Sequence, residues 1–418
     1  MTRDACGCDS HAPKGLLPVD EARRRIVDLV TPVTTRERVS IHEALGRILA
    51  EEVVSTIDVP PFPNSAMDGY AVRGEEVSGA GPHTLRVVGR SFAGAPFDGE
   101  LGPGEAVRIM TGAPVPAGSD TVVMQERTRR EGETVVIEGS HASGENVRHP
   151  GEDMSRGETV LEPGCELLPA HLGLLATIGL PEVWVWRRLR VAFFSTGDEL
   201  KGVGEPLGPG EIHDSNRYTL FGMLRRLGVE LVDMGVIPDE RDAVRRAFAE
   251  AAACADVVIT SGGVSVGEAD FVKETLDELG EVEFWKVAVK PGKPLAVGRI
   301  GDAFFFGLPG NPVSVMATFY QFTRPALRQM MGAAPEPEIL LQARSLDPIR
   351  HHPGRLEFQR GVLSRNEGGE LVVRSTGLQG SHVLTSMARA NCFIVIPAES
   401  GGIAAGEKVQ VQPFAGLV

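Results

Sequence analysis

Val257-Val-Ile-Thr-Ser-Gly-Gly-Val-Ser-Val-Gly-Glu-Ala-Asp270 passes from three consecutive β-branched apolar residues into a glycine-rich turn that carries two carboxylates. A helical pattern over 271–279 follows. A strand that feeds such a turn and then a helix is the repeating unit of a parallel sheet, and the turn is where backbone N–H groups face an anion.

The same alternation continues in both directions. Before the turn come a strand at 191–194, a helix at 218–227, a strand at 229–236 and a helix at 241–254; after it come a strand at 303–306 and a helix at 313–330. This spacing predicts a doubly wound α/β domain with a mostly parallel sheet over 188–333.

The flanks have a different texture. Residues 16–187 read as a helical and extended lobe, with helices at 21–30 (Asp20 as its cap) and 42–49 (Ser40 as its cap). Short Val/Ile/Thr runs at 85–88, 106–110, 121–124 and 134–137, broken by Gly and Pro, place a β-rich module inside that lobe at about 60–162. Residues 333–338 read as a linker, and 338–418 as a small, barrel-like β domain. Met1 to Gly15 read as a disordered extension, and Cys6, Cys8 and His11 within it lack the second ligand pair of a metal site.

Composition narrows the function classes. The chain has 418 residues, enough for several domains, with 42 Lys+Arg against 56 Asp+Glu and a net charge of −14. Such a surface has no global basic field for a nucleic-acid backbone or an anionic membrane, so an anionic ligand needs a local cationic cluster. Five scattered cysteines fit reduced thiols rather than a disulfide framework. No signal-peptide pattern or bilayer-length apolar run is present, and a cytoplasmic protein is expected. A Walker-type signature is also missing.

In a parallel sheet, ligands sit outside the carboxyl ends of the strands. That rule gathers Ser195-Thr-Gly-Asp-Glu199, the helix-opening Asp214, the post-strand Asp239, the loop 261–270, and Pro309, Asn311 and Pro312. Gly262, Gly263 and Gly267 allow close backbone approach to an oxyanion, with Ser261 and Ser265 among them. Lys286, Lys290 and Lys293 add point charges for phosphate or a small oxyanion. Carboxylates beside phosphate call for a bridging Mg²⁺, for which Asp239 and Asp270 are the first candidates, with Glu199 and Asp214 behind them. Plainer readings stand beside these: Asp214 and Asp239 as helix caps, Lys293 as a turn lysine, Gly262-Gly263 as a tight turn, and His351-His352 as part of an exposed loop.

Several blocks carry a family resemblance: Pro61-Phe-Pro-Asn-Ser-Ala-Met-Asp-Gly-Tyr-Ala-Val72, Arg108-Ile-Met-Thr-Gly-Ala-Pro-Val-Pro116, Gly151-Glu-Asp153, Ser195-Thr-Gly-Asp-Glu-Leu200, the loop 261–270, Lys290-Pro-Gly-Lys-Pro294 and residues 307–314. Together they resemble the molybdopterin molybdenumtransferases, the molybdenum insertases related to the C-terminal domain of gephyrin. The resemblance implies an elongated four-part subunit that pairs into a homodimer. It implies insertion of molybdate into adenylylated molybdopterin, with Mg²⁺-dependent cleavage of the phosphoanhydride and release of AMP.

By that resemblance Asp239, Asp270 and Glu199 are catalytic carboxylates, and Asp239 and Asp270 hold the metal. Lys286 and Lys290 face phosphate or molybdate, Lys293 supports them, and Asp68, Thr111 and Asp153 come from the N-terminal lobes of the partner chain. Ser386, in Ser381-His-Val-Leu-Thr-Ser386, borders the cleft. Molybdopterin adenylyltransferase and recipient molybdoenzymes are the partners implied. The competing readings are a molybdopterin adenylyltransferase, a gephyrin-like scaffold without catalysis, and a nucleotide deamidase with a related α/β domain.

Overall fold

A computed structural model describes residues 15–262 and 271–414. The predicted extension, apart from Gly15, lies outside the described residues. So does the loop containing Gly263, Ser265, Gly267 and Asp270.

The chain divides into two compact units. One contains residues 1–37, 46–50 and 184–418, and the other 38–45 and 51–183. In the first, a six-stranded sheet runs in the order Glu230–Ile237, Arg190–Thr196, Val257–Ser261, Ala303–Leu308, Pro294–Ile300, Gly280–Lys286. The first four strands are parallel, and the last two are added antiparallel.

Period-2 alternation explains why helices cover both faces. Phe193, Ile259, Phe304 and Phe306 pack on one face with Leu220, Leu224 and Phe319, whereas Phe194, Val258 and Phe305 pack on the other with Val244, Phe248 and Leu276. A strand that is apolar on both faces can only be satisfied between two helical layers. Helices Ser215–Leu227 and Pro312–Thr318 lie on the first side, and Arg241–Cys254 and Phe271–Leu279 on the second.

The helix expected over 313–330 is broken into two α segments, Pro312–Thr318 and Arg324–Met330, by a π turn at Phe319–Thr323. Pro325 has no N–H to donate to the Gln321 carbonyl one turn earlier. That oxygen accepts instead from Arg23 Nε at 3.2 Å.

The tail forms a closed five-stranded barrel. Leu356–Arg365 pairs with Leu371–Ser375, and the circuit returns through Leu341–Ser345, Lys408–Pro413 and Cys392–Ile396 to Leu356–Arg365. A short strand from the α/β region, Val289–Lys290, adds in parallel to the start of Leu356–Arg365. Phe358, Phe393 and Val395 of the barrel belong to the same apolar core as Phe319 and Phe322, so tail and sheet form one body. The tail also contains a short helix, Leu384–Arg389, that its strand-rich pattern did not announce.

In the second unit a mixed six-stranded sheet runs in the order Thr121–Met124, Gly69–Val72, Glu105–Ile109, His83–Ser91, Thr134–Ile137, Thr128–Glu131, with an apolar cluster on each side. The helix expected over 42–49 is replaced by turns that end at Gly46 (φ 71°), after which Ile48 and Leu49 are buried. The first helix forms at Val19–Leu29, but Asp20 lies inside its first turn and Pro18 occupies the cap position.

Candidate functional site

A cleft of about 880 Å³ opens at the carboxyl edge of the parallel strands, with walls supplied by the sheet loops and the barrel. It lies where strand order reverses around Arg190–Thr196, the place at which open α/β sheets bind ligands. Thr196, Glu199, Asp239 and Gly262 form one side. Lys290, Lys293, Pro309 and Asn311 also line the cleft, and Arg355, Gln379, Gly380 and Ser381 come from the tail.

Backbone constraints fix the floor. Gly262 has φ +94°, and a Cβ there would meet the Thr196 carbonyl oxygen at 2.9 Å. Gly292, at φ +103°, would press a Cβ to 2.4 Å from Thr318 Oγ1. Both turns therefore depend on glycine, and both hold main chain against the cleft. Ser261 Oγ accepts from Asn216 Nδ2 at 2.8 Å, and the same amide donates to the Gly310 carbonyl at 2.7 Å, tying two of the loops together.

Among the described residues no cation lowers the Asp239 carboxyl. Asp239 is half-buried, and burial together with the charges of Asp198 and Glu199 pushes its carboxyl above the usual range. Asp198 Oδ1 accepts the Asp239 amide at 3.1 Å, which fixes the loop. The capping alternative separates the two aspartates. Asp214 does cap Ser215–Leu227, its Oδ1 accepting Arg217 N at 3.1 Å, with Oδ2 buried and unpartnered. Asp239 makes no such bond: the cap position of Arg241–Cys254 is Glu240.

The basic wall is anchored. Lys290 Nζ lies 2.8 Å from Glu357 Oε1. Glu357 Oε2 lies 2.7 Å from His351 Nδ1. The exposed-loop reading of His351 is therefore wrong: its side chain is 1% accessible, drawn inward by Glu357. Lys286 ends the edge strand Gly280–Lys286, exposed and apart from the residues that line the cleft.

Behind the tail wall lies Arg360, fully buried. Its guanidinium donates to Ser386 Oγ at 2.9 Å and to the Gly380 carbonyl at 3.1 Å, and burial brings its pKa down to about 10. Ser386 is also buried, donating to the Val383 carbonyl at 2.6 Å. Pro312 opens the helix beneath Asn311. Sequence reading missed Glu357, Arg355, Arg360, Gln379 and Gly380, and took in Asp198 and Ser381 only as members of longer segments.

In the second unit Asp68 Oδ1 accepts both Thr111 N and Thr111 Oγ1 at 2.8 Å, and these bonds, that to the backbone first, hold its carboxyl below the usual range. Asp153 lines a separate hollow of about 460 Å³ with Glu158 and Leu174.

The donor chemistry of the acidic wall suits a hard divalent cation. No group of three His, Cys, Asp or Glu side chains arranged to hold a metal occurs among the described residues. Mg²⁺, however, typically takes one or two carboxylates and completes its shell with water and substrate phosphate. A carboxyl raised by burial and by two neighbouring charges is one that a cation would stabilise in its ionised form.

A doubly wound sheet with a cleft at its carboxyl edge, capped by a closed barrel and accompanied by a second unit with a mixed sheet, defines a multidomain protein built around an α/β domain. Three family models cover nearly the whole chain: the MoeA N-terminal region (domain I and II) over 17–179, the probable molybdopterin binding domain over 192–329, and the MoeA C-terminal region (domain IV) over 342–414. Molybdopterin molybdenumtransferase of Haemophilus influenzae is 45% identical over 402 residues, covering 96% of this chain and 99% of the relative. The Nostoc enzyme of the same name is 39% identical, covering 96% of each. The crystal structure of the molybdopterin biosynthesis moeA protein from Pyrococcus horikoshii superposes with a TM-score of 0.82 at 31% identity, covering 95% of this chain and 100% of that one. The chain belongs to the molybdopterin molybdenumtransferase family.

Proposed function

We propose that the cleft binds adenylylated molybdopterin and molybdate, cleaves the phosphoanhydride and leaves molybdenum on the dithiolate with release of AMP. The broader activity, transfer of molybdenum to molybdopterin in molybdenum cofactor biosynthesis, follows from membership of the family. One observation supports the finer reading above all: Glu199 and Asp239 share a single cleft with Lys290 and Lys293 at the carboxyl edge of the parallel sheet.

Each side has its work. Lys290 and Lys293 attract the phosphates and the oxyanion, while the Gly262 turn brings main chain close to them. Asp239, with Asp270 from the loop outside the described residues, would hold Mg²⁺, which supplies charge neutralisation between carboxylate and phosphate. In the hydrolysis a water oxygen bonds to one phosphorus, the bridging P–O bond breaks, AMP departs and the water's protons pass to solvent. The two dithiolate sulfurs then bond to the molybdenum of molybdate while one of its oxygens leaves as water with two protons from the thiols or solvent; the oxidation state of the metal is unchanged, and the protein chiefly orients the reactants.

Asp68 and Thr111 fit as a prearranged pair reaching the cleft from a second copy of the chain in a homodimer. The same reading takes the cytoplasm as the location, and molybdopterin adenylyltransferase and recipient molybdoenzymes as partners. No helix among the described residues is long and apolar enough to cross a membrane.

Molybdate-dependent AMP release tests the reading. Asp270→Ala should stop it in a folded protein, and Asp68→Ala chains mixed with Asp270→Ala chains should regain part of it as subunits exchange. Wild-type turnover in Asp270→Ala would remove that residue from the site. Silent heterodimers after verified exchange would remove the shared cleft.

A further inference from the structure

Lys290 and Glu357 are aligned partners on neighbouring parallel strands, so their side chains leave the same face of the barrel edge. Their exposures differ sharply: Lys290 is 43% accessible and Glu357 2%. A carboxylate this deeply buried is costly unless both oxygens are satisfied. Here both are, Oε1 by Lys290 Nζ at 2.8 Å and Oε2 by His351 Nδ1 at 2.7 Å. Burial alone would raise the Glu357 carboxyl, but the bonds from Lys290 and His351 outweigh it and hold it below the usual range. With Glu357 ionised, His351 donates from Nδ1 and leaves Nε2 as a buried, unpartnered atom. The imidazole therefore has one evident task, which is to orient the carboxylate.

We propose that Glu357, oriented by His351, is the positioning residue for Lys290, so that the tail barrel sets where the cleft's cation stands. This inference rests on the proposed role of Lys290. A lysine on a flexible four-carbon stem, in a cleft also lined by Asp239 and Glu199, has competing carboxylates to pair with. Anchoring it to a buried carboxylate from the barrel keeps the ammonium on its own wall, with donors left for an oxyanion. The anchor costs some net positive charge and gains a fixed position, which matters more in a site whose task is to orient reactants.

A double-mutant cycle separates positioning from bulk stability. Glu357→Gln should lower kcat/KM for molybdate by roughly tenfold, and the same substitution placed in Lys290→Ala should change the remaining activity by less than about twofold. Glu357→Asp keeps the buried charge but withdraws it by one methylene, and should show the same coupling if Glu357→Gln fails to fold. Additive losses in both cycles would overturn the inference while leaving the role of Lys290 intact. Full activity in Lys290→Ala would instead remove the parent reading, and this one with it.

Discussion

The two walls of the cleft are built on opposite electrostatic terms. On the sheet side, burial together with the charges of Asp198 and Glu199 pushes the Asp239 carboxyl up, and no cation among the described residues offsets the shift. On the barrel side, Lys290 is already paired with a carboxylate that is itself bonded twice. The first arrangement holds repulsion that a ligand can relieve; the second is balanced before any ligand arrives. Under the proposed function, the acidic wall would contribute binding energy through charge and the basic wall would contribute geometry.

The largest test of that contrast is Asp239→Asn. Molybdate-dependent AMP release should fall at least about 100-fold, while the melting temperature rises by about 1 °C because a repulsive charge has gone. A drop in melting temperature would show that the carboxylate is structurally paired. Next in size, a divalent cation such as Mg²⁺ should raise the wild-type melting temperature by about 2 °C when present at ten times its dissociation constant, and should not do so in Asp239→Asn. An equal rise in both proteins would place the cation elsewhere.

The smallest effect concerns the other wall. The folded-state pKa of Glu357 lies below the ordinary 4.5 of a glutamate, so its pairing contributes stability that is present above that value and lost as pH falls through the folded-state pKa. Glu357→Gln should therefore be less stable than wild type by roughly 1 kcal/mol at pH 7, a value reduced by the exposure of Lys290. The gap should narrow below about pH 4 in parallel melts. A gap that is constant with pH would mean that packing, rather than charge, holds the residue.

How much of this was legible in the sequence depends on the range of the interaction. Helices Arg241–Cys254 and Phe271–Leu279 and strand Cys392–Ile396 match their expected bounds, because each is set by a local period. The antiparallel additions Gly280–Lys286 and Pro294–Ile300 went unread: Glu281 and Glu283 alternate along an edge strand whose partner is chosen by tertiary packing. In the site, Glu199, Asp239, Gly262, Lys290 and Lys293 were found by the strand-end rule. Glu357 and His351 were not, since a register between residues 290 and 357 is written in no local motif. The stretch 42–49 misled for the opposite reason: its composition favours a helix, and a single left-handed glycine ends it.

The short strand Val289–Lys290 has one further consequence. It covers main-chain N–H and C=O groups at the start of Leu356–Arg365, which a severed tail would present bare to solvent. A barrel excised at the 333–338 linker would carry an open seam able to recruit strands from its neighbours. Tail and sheet are thus a single unit of solubility.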